Sequence, residues 1–201
     1  MDKREYRETT EYHTCVVNNT PYYSYTSIGN FTEPDMYKPG GEHRWEVTTY
    51  TNGMPSTIAF QIDKNTVKWE FNGKGTVDMR ANWEGRTFKR SRTFKPNVTV
   101  ENTLFLRTLN FSQKEKYVFD LLQIREMPDL EAYEMFFKAL GEEKVTVKAG
   151  TFTCKKILFS LTGFKGLFYK AYYYVTHDEH RYIIKIDNIP RGGTSELVRI
   201  E

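Results

Sequence analysis

The heptapeptide THDEHRY, residues 176–182, concentrates side chains that bind metal ions: two histidines enclose an aspartate and a glutamate. A zinc site needs three or four converging ligands. The flanking runs YYYV and RYIIKI are typical of strands, so the pattern indicates a hairpin loop whose polar side chains face water. In extended backbone His177 and His180 would point to opposite faces. We therefore expect a solvated turn and predict no metal site.

A second group of chemically capable residues lies in RTFKRSRTFK, residues 86–95. Strand alternation places Phe88, Arg90, Arg92 and Phe94 on one side. Guanidinium groups there could hold an anionic head group while the rings provide apolar contact. Nucleic acid could use the same composition by stacking bases on the rings. A strand charged on both faces is also typical of a protected sheet edge, and this interpretation is slightly favoured. The four side chains stay candidate ligand-binding residues.

Aromatic residues supply the other candidate ligand contacts. They make up 15% of the chain, and Trp45, Phe60, Trp69 and Phe71 would line a groove if the sheet curls and its concave face is open. If that face is filled, they are ordinary core. A buried methylene contributes ~0.8 kcal/mol against an association cost of ~4–15 kcal/mol. An apolar ligand would therefore have to be long or carry a charged head.

Candidate nucleophiles are few. Cys15 shares a strand face with His13, a pairing that we attribute to chance, and Cys154 follows GTFT in a predicted strand, where a small buried side chain is the simpler role. The sequence contains no Gly-x-Ser-x-Gly, Walker, dinucleotide-binding, Cys-x-x-Cys or His-Glu-x-x-His motif. Glu143 lies at a predicted turn, where bonding to backbone or to a cross-strand base is the simpler role. We predict no catalytic residue and no cofactor.

The elements that would position these residues are short alternating strands. DKN and NGKG, which tolerate positive φ, separate three of them, and this spacing predicts consecutive hairpins. Further strands are predicted in residues 97–109 and 115–124 and through most of the chain from Lys144 onward. Each of the three hairpin strands has one apolar face, formed by Ile58, Phe60 and Ile62, by Val67, Trp69 and Phe71, and by Val77, Met79 and Ala81.

Residues 129–140 give conflicting signals. Pro128, the helix formers through Leu140 and Gly141 as a stop all favour a helix. The strand-rich context and the resemblance described below favour a strand, which we accept because tertiary context often overrides propensity.

Composition bounds the class of protein. The chain of 201 residues suits one domain or two small ones, and we predict a single domain over residues 1–201, with residues 1–12 as a flexible arm. Its net charge of +3 does not require nucleic acid as a partner. No apolar run reaches the ~20 residues of a membrane-spanning helix. We expect a soluble protein, cytoplasmic as written, or periplasmic or in the cell envelope if a signal peptide has been removed.

The second half resembles a bacterial family of domains of unknown function that carries a Glu-x-Val-x-Val-x-Ala-Gly-Thr-Phe hairpin. The resemblance implies a mainly β fold with little helix: a long antiparallel sheet curled into an incomplete, half-open barrel similar to the periplasmic lipoprotein carriers LolA and LolB. The positions that match the family are Glu143, Val145, Val147, Ala149, Gly150, Thr151, Phe152, Tyr172, Tyr174, Arg181, Tyr182 and Lys185.

From these observations we expect a non-enzymatic protein that binds a hydrophobic or amphiphilic, lipid-like ligand on the concave face of its sheet, with no nucleic acid as partner. Two alternatives stay open. One is a cofactor-independent enzyme that uses the same cavity, with Glu143, Arg107 or a tyrosine as its titratable group. The other is an envelope module that binds an unidentified protein through a sheet edge.

Overall fold

A computed structural model describes residues 6–17, 20–31, 42–50, 55–95, 97–99, 102–122, 130–178, 180–188 and 193–197. In these ranges the chain is mainly β, and its strands form two seven-stranded sheets. By their contacts the residues fall into two compact units, residues 1–100 with 122–132, and residues 101–121 with 133–201. This division does not test the single-domain prediction, which stays a prediction.

The first sheet follows chain order, and each strand pairs antiparallel with the next, as predicted for a meander. The sequence predicts a flexible arm up to residue 12, whereas the structure pairs the backbone of the first strand with the second from Tyr6 onward. The strands are β1 (Tyr6–Val17), β2 (Thr20–Phe31), β3 (Glu42–Tyr50), β4 (Pro55–Ile62), β5 (Asn65–Phe71), β6 (Thr76–Trp83) and β7 (Arg86–Thr93).

Burial in β4, β5 and β6 alternates as their sequences predict. The apolar side chains of the three strands are buried on one face, and the polar side chains between them lie on the other. Asp63 and Glu84 adopt positive φ in the two tight turns, and Gly73 and Gly75 do so in the NGKG turn. The face of each side chain in β4, β5 and β6 is therefore fixed by the hairpin register.

The strand β7 ends the sheet order, which confirms the edge interpretation of RTFKRSRTFK. Apart from half-buried Phe88, its residues are exposed. Charged side chains on both faces of an edge strand disfavour pairing with another chain.

The second sheet is a seven-stranded antiparallel half-barrel, which confirms the predicted fold class. Its strands are β8 (Val98–Thr99), β9 (Lys116–Leu122), β10 (Ala132–Val147), β11 (Gly150–Leu161), β12 (Lys170–Thr176), β13 (Ile183–Asn188) and β14 (Gly193–Glu196), in the spatial order β14-β13-β12-β11-β10-β9-β8.

The long strand β10 settles the conflict over residues 129–140 in favour of strand from Ala132 onward. Pro128 and Asp129 lie outside the described residues. Gly141, which would end a helix, instead follows a β-bulge: the pairing with β11 shifts between Ala139 and Gly141, Leu140 is the extra residue, and Gly141 has φ 137°. A bulge lets one long strand bend, and glycine tolerates the backbone that this requires.

The strand prediction for residues 97–109 is wrong in its second half. Among the described residues of this range, only Val98–Thr99 are strand, and Thr103–Thr108 form the helix α1. Apolar spacing explains the difference, because Phe105, Leu106 and Leu109 are all buried, a pattern that fits helical period better than alternation.

The aromatic core of the half-barrel's unit lies under α1. The ring of Phe105 is 4.9 Å from that of Phe119, which stacks on Phe137 at 5.1 Å. Phe159 and Tyr173 complete the cluster, and the amide of Asn102 donates a hydrogen bond to the Tyr173 hydroxyl. These rings therefore form a packed core inside their own unit.

Candidate functional site: a basic groove on the first sheet

A cavity of about 380 Å³ lies on the polar face of the first sheet and crosses the five strands β3 to β7. Most of its lining forms two cross-strand rows, in which each residue is the register partner of the next. One row is Glu46, Ala59, Lys68, Arg80 and Lys89, and the other is Arg44, Gln61, Thr66, Asn82 and Thr87. We call this surface the basic groove.

Three cations stand next to one another in the first row. Lys68 is opposite Arg80 on the neighbouring strand, and Arg80 is opposite Lys89 on the next. All three side chains are exposed. Like charges directly opposite one another destabilise a sheet. The row therefore carries an electrostatic cost that an anion bound between its members would remove.

Carboxylates satisfy only part of this charge. Lys68 Nζ lies 2.8 Å from Glu70 Oε1, and Arg44 forms an ion pair of 2.7 Å with Glu46. In the described part of the chain, no carboxylate lies within ion-pair distance of Arg80 or Lys89. These two side chains are therefore the groups best placed to hold an external anion.

Acidic side chains border the cation row. Glu70 is opposite Asp78 in the next row along the same face. The hydrogen bond from Lys68 and its charge hold the pKa of Glu70 below its ordinary value of 4.5, with a smaller contribution from Arg80. Glu70 is therefore ionised at neutral pH, and the negative row limits the positive region to a narrow band across the strands.

The groove also offers apolar contact. The Ala59 side chain and the long stems of the cations lie on the groove face, whereas the side chains of Phe60, Val67 and Ala81, which also border the cavity, belong to the buried face. Lysine and arginine stems cover apolar atoms while their charged ends stay in water. The cavity volume falls within the ~300–1,000 Å³ of small-molecule sites. The groove can therefore hold a charged group and a short stretch of hydrocarbon together.

The predicted aromatic lining is divided by the structure. Trp69 and Phe71 are buried at 1% and 6% exposure and do not line the basic groove. Phe60 borders the groove, but its ring lies on the buried face and packs at a tilt against half-buried Trp45, with the ring centres 4.5 Å apart. Among the described residues the Trp69 indole Nε1 has no hydrogen-bond partner. Contact of these four rings with a ligand stays a prediction.

The candidate residues of β7 lie on the opposite face from the groove. Phe88, Arg90 and Arg92 are register partners of Ala81, Met79 and Val77, whose side chains form the buried face. Arg92 donates a hydrogen bond of 2.8 Å to the Leu130 carbonyl, and its guanidinium lies 5.2 Å from the ring centre of Phe94. Arg92 therefore has a structural partner, while a ligand contact by the four residues stays a prediction.

The segment THDEHRY connects β12 to β13, where the sequence predicts a hairpin loop. Asp178 Oδ1 accepts hydrogen bonds from the backbone N–H groups of His180 and Arg181, and Arg181 Nη1 donates to the carbonyls of Arg107 and Leu109. Among the residues that the structure describes, no three His, Cys, Asp or Glu side chains converge as metal ligands. The turn is thus organised by backbone capping.

Cys154 is fully buried, and burial raises its pKa to about 11. A thiol in this environment stays protonated at neutral pH and is a poor nucleophile. The side chain of Cys15, and its pairing with His13, lie outside what the structure describes.

Glu143 accepts a hydrogen bond of 2.9 Å from Lys156, whose ammonium lies over the rings of Tyr172 and Tyr174. The hydrogen bond to Glu143 raises the pKa of Lys156, and burial raises that of Tyr174. Glu143 therefore pairs with a base on the neighbouring strand, which is the structural role that the sequence predicts for it.

The groove cations Lys68, Arg80 and Lys89 are absent from the sequence-based candidates. Each lies at a polar position of an alternating strand, a place typical of a solvated face. Their adjacency depends on the register of three hairpins, which turn residues alone indicate only in outline. Reading the predicted register across β5, β6 and β7 is the step that would have found them.

No described helix is long and apolar enough to cross a bilayer. The chain matches no family model, no curated protein and no solved structure. The resemblance to the family of unknown function and to the lipoprotein carriers therefore stays a prediction.

Proposed function

We propose that the protein is a non-enzymatic binding protein for an amphiphilic molecule with an anionic head, which it holds in the basic groove. The observation that carries the proposal is the run of three cations in register, Lys68, Arg80 and Lys89. Arg80 and Lys89 would contact the head group directly, and Lys68 would contribute while bound to Glu70. The ligand replaces the repulsion between neighbours with charge-assisted hydrogen bonds.

The surroundings of the cation row favour a compact anion over a polyanion. Glu70 and Asp78 lie on the same face, two residues along their strands from Lys68 and Arg80, and Glu46 lies in the cation row two strands from Lys68. A nucleic acid strand laid across them would meet repulsion, and no aromatic side chain among the described lining residues lies on the groove face, since the ring of Phe60 is on the buried face. Single-strand binding sites stack bases on several rings. A single anionic head with an attached apolar chain fits better.

The apolar chain has a defined role in this proposal. An exposed ion pair contributes only ~0–1 kcal/mol, whereas each buried methylene contributes ~0.8 kcal/mol. The head therefore determines where the ligand binds, and the chain supplies most of the affinity. Ala59 and the stems of Lys68 and Arg80 provide contact for the first carbons of that chain.

A calorimetric titration tests the proposal. Dodecyl phosphate, kept below its micelle concentration, is titrated into the wild-type protein, with dodecyl maltoside as the neutral ligand of equal chain length. We expect binding of the phosphate and roughly twofold to fivefold weaker binding by Lys89→Gln, the loss of one exposed ion pair.

Two matched variants control this titration. Arg90→Gln removes the same charge from the adjacent residue on the opposite face, and Lys74→Gln removes it from the NGKG turn outside the groove. Both are expected to bind like the wild type. If Lys89→Gln and Lys74→Gln lost affinity for dodecyl phosphate equally, the effect would come from net charge alone. If only Arg90→Gln lost affinity, the site would lie on the other face of the sheet.

A further inference from the structure

The connection between β11 and β12 carries an exposed apolar surface inside the second unit. Its 3-10 helix, Phe164–Leu167, and the following residue hold three large side chains in water: Phe164 is 74% exposed, Leu167 62% and Phe168 71%. The rings of Phe164 and Phe168 pack edge to face at 5.6 Å. We call these three side chains the apolar tip. Large hydrophobic side chains grouped in this way mark interaction sites.

The backbone beneath the apolar tip is firmly held. The Ser160 hydroxyl, which is buried, lies within hydrogen-bond distance of the carbonyls of Gly166 and Tyr169, at 3.1 and 2.6 Å. Gly166 is itself buried, and a Cβ atom there would overlap the Leu161 carbonyl oxygen. The turn is therefore anchored to the end of β11, and the three apolar side chains are presented in a fixed arrangement.

The charge pattern around the tip points to a negatively charged surface. Residues 161–175, LTGFKGLFYKAYYYV, contain two lysines, Lys165 and Lys170, and no acidic residue. Tyr169, which is half-buried next to the tip, adds one amphipathic ring, whereas Tyr173 and Tyr174 are buried in the core. Apolar side chains flanked by cations and by amphipathic rings are the composition of segments that rest in a membrane interface.

The size of the tip favours a bilayer over a protein partner. Two phenylalanines and one leucine at these exposures present on the order of 400 Å² of apolar surface. A stable protein interface buries about 800 Å² on each partner, polar and apolar surface together, so the tip would be no more than the apolar centre of one and would need a rim of other residues around it. Insertion of a few side chains into lipid has no such minimum, because the bilayer surrounds each side chain completely.

We propose that the apolar tip inserts into the interface of a bilayer that contains anionic lipids and attaches the protein reversibly to that surface. Phe164, Leu167 and Phe168 enter the acyl boundary, and Lys170 meets the lipid phosphates. This attachment is independent of the basic groove and would stand if the proposed ligand proved wrong. One small apolar tip supports weak, reversible binding that depends on lipid charge.

Vesicle sedimentation with the full chain tests this inference. The probes are vesicles of phosphatidylcholine with about one-third phosphatidylglycerol, and vesicles of phosphatidylcholine alone. We expect the wild type to sediment with the anionic vesicles and only weakly with the neutral ones. Leu167→Ser should lower the partition coefficient roughly tenfold. Leu140→Ser, which removes an exposed leucine at the β10 bulge, should leave it unchanged.

Other variants separate the alternatives. Arg80→Gln and Lys89→Gln should sediment like the wild type, since the groove is not the attachment site. Absence of wild-type sedimentation, equal sedimentation of Leu167→Ser and Leu140→Ser, or loss of sedimentation in the groove variants would each overturn the proposal. Light scattering of the lipid-free protein tests a further alternative. If the wild type is a dimer that binds no lipid, and Leu167→Ser is a monomer, the tip contacts a second copy of the chain.

Discussion

Lys89 and Arg90 show that a shift of one residue along a strand moves a side chain to the opposite face of the sheet. They are adjacent cations in β7, yet Lys89 pairs with Arg80 on the groove face and Arg90 pairs with Met79 on the buried face. Composition alone ranks Arg90 above Lys89 as an anion ligand, since guanidinium binds anions in a bidentate manner. Register reverses the order, because only Lys89 extends the row of cations.

Cys154 allows a prediction about reactivity and pH. Burial raises its pKa from an ordinary value of 9.0 to about 11, so the protonated thiol is favoured in the folded chain. Because the folded pKa is the higher one, this contribution to stability is fully present below pH 9 and is lost as pH rises from about 9 towards 11. In the Cys15→Ser background, native protein should therefore react with a disulfide reagent at pH 8 only as fast as it unfolds.

The control for this experiment is the same reaction in denaturant, where the thiol should react at once. Rapid labelling of the native protein at pH 8, without any loss of structure by circular dichroism, would contradict the burial of Cys154 in the folded state.

Among the elements, the NGKG turn between β5 and β6 gives a prediction through Gly75. Its φ is 96°, and an added Cβ would lie 2.5 Å from the Phe94 carbonyl oxygen. Gly85 also has positive φ, 73°, but a Cβ there meets nothing within 4 Å. Gly75→Ala should lower the free energy of unfolding by roughly 2–4 kcal/mol, and Gly85→Ala by about 1 kcal/mol, because the second variant strains only its backbone.

Urea denaturation of the two variants measures this difference. If Gly75→Ala were no less stable than Gly85→Ala, the close approach of the chain after β7 to the NGKG turn would be wrong. This approach includes the hydrogen bond that Phe94 N–H donates to the Gly75 carbonyl.

The elements were predictable where pattern and turn chemistry agree. In β4, β5 and β6, alternation of apolar residues and positive-φ turns point to the same register, and burial follows it. Agreement fails at α1 and at Gly141. One apolar run there fits both strand and helix, and one glycine can end a helix or follow a bulge, so tertiary packing decides between them.

At the scale of the whole molecule, the mainly β class and the half-barrel were predictable, whereas the division of the strands between two seven-stranded sheets was not. Local patterns specify strands and hairpins, but the end of one sheet and the start of the next depend on which edges stay unpaired. The charged edge β7 is the sequence signal that marks this boundary, because charges on both faces oppose further pairing.

The candidate site was predictable only in its chemistry. The sequence indicates cations and aromatic rings that could hold an anionic amphiphile, and it names the β7 residues Arg90 and Arg92 for that role. The structure brings together Lys68, Arg80 and Lys89, which lie on three strands and meet only through register. Composition does not show which residues are adjacent across strands, because that depends on the register of every hairpin between them.

Native mass spectrometry of the full chain purified without detergent tests directly whether the basic groove binds an anionic amphiphile. The wild type is compared with the double variant Arg80→Gln/Lys89→Gln. We expect the wild type to carry one anionic amphiphile, identified after organic extraction, and the folded double variant to have lost it. A folded wild type with no bound molecule, or a double variant that keeps the same molecule at the same occupancy, would contradict binding of the amphiphile in the basic groove.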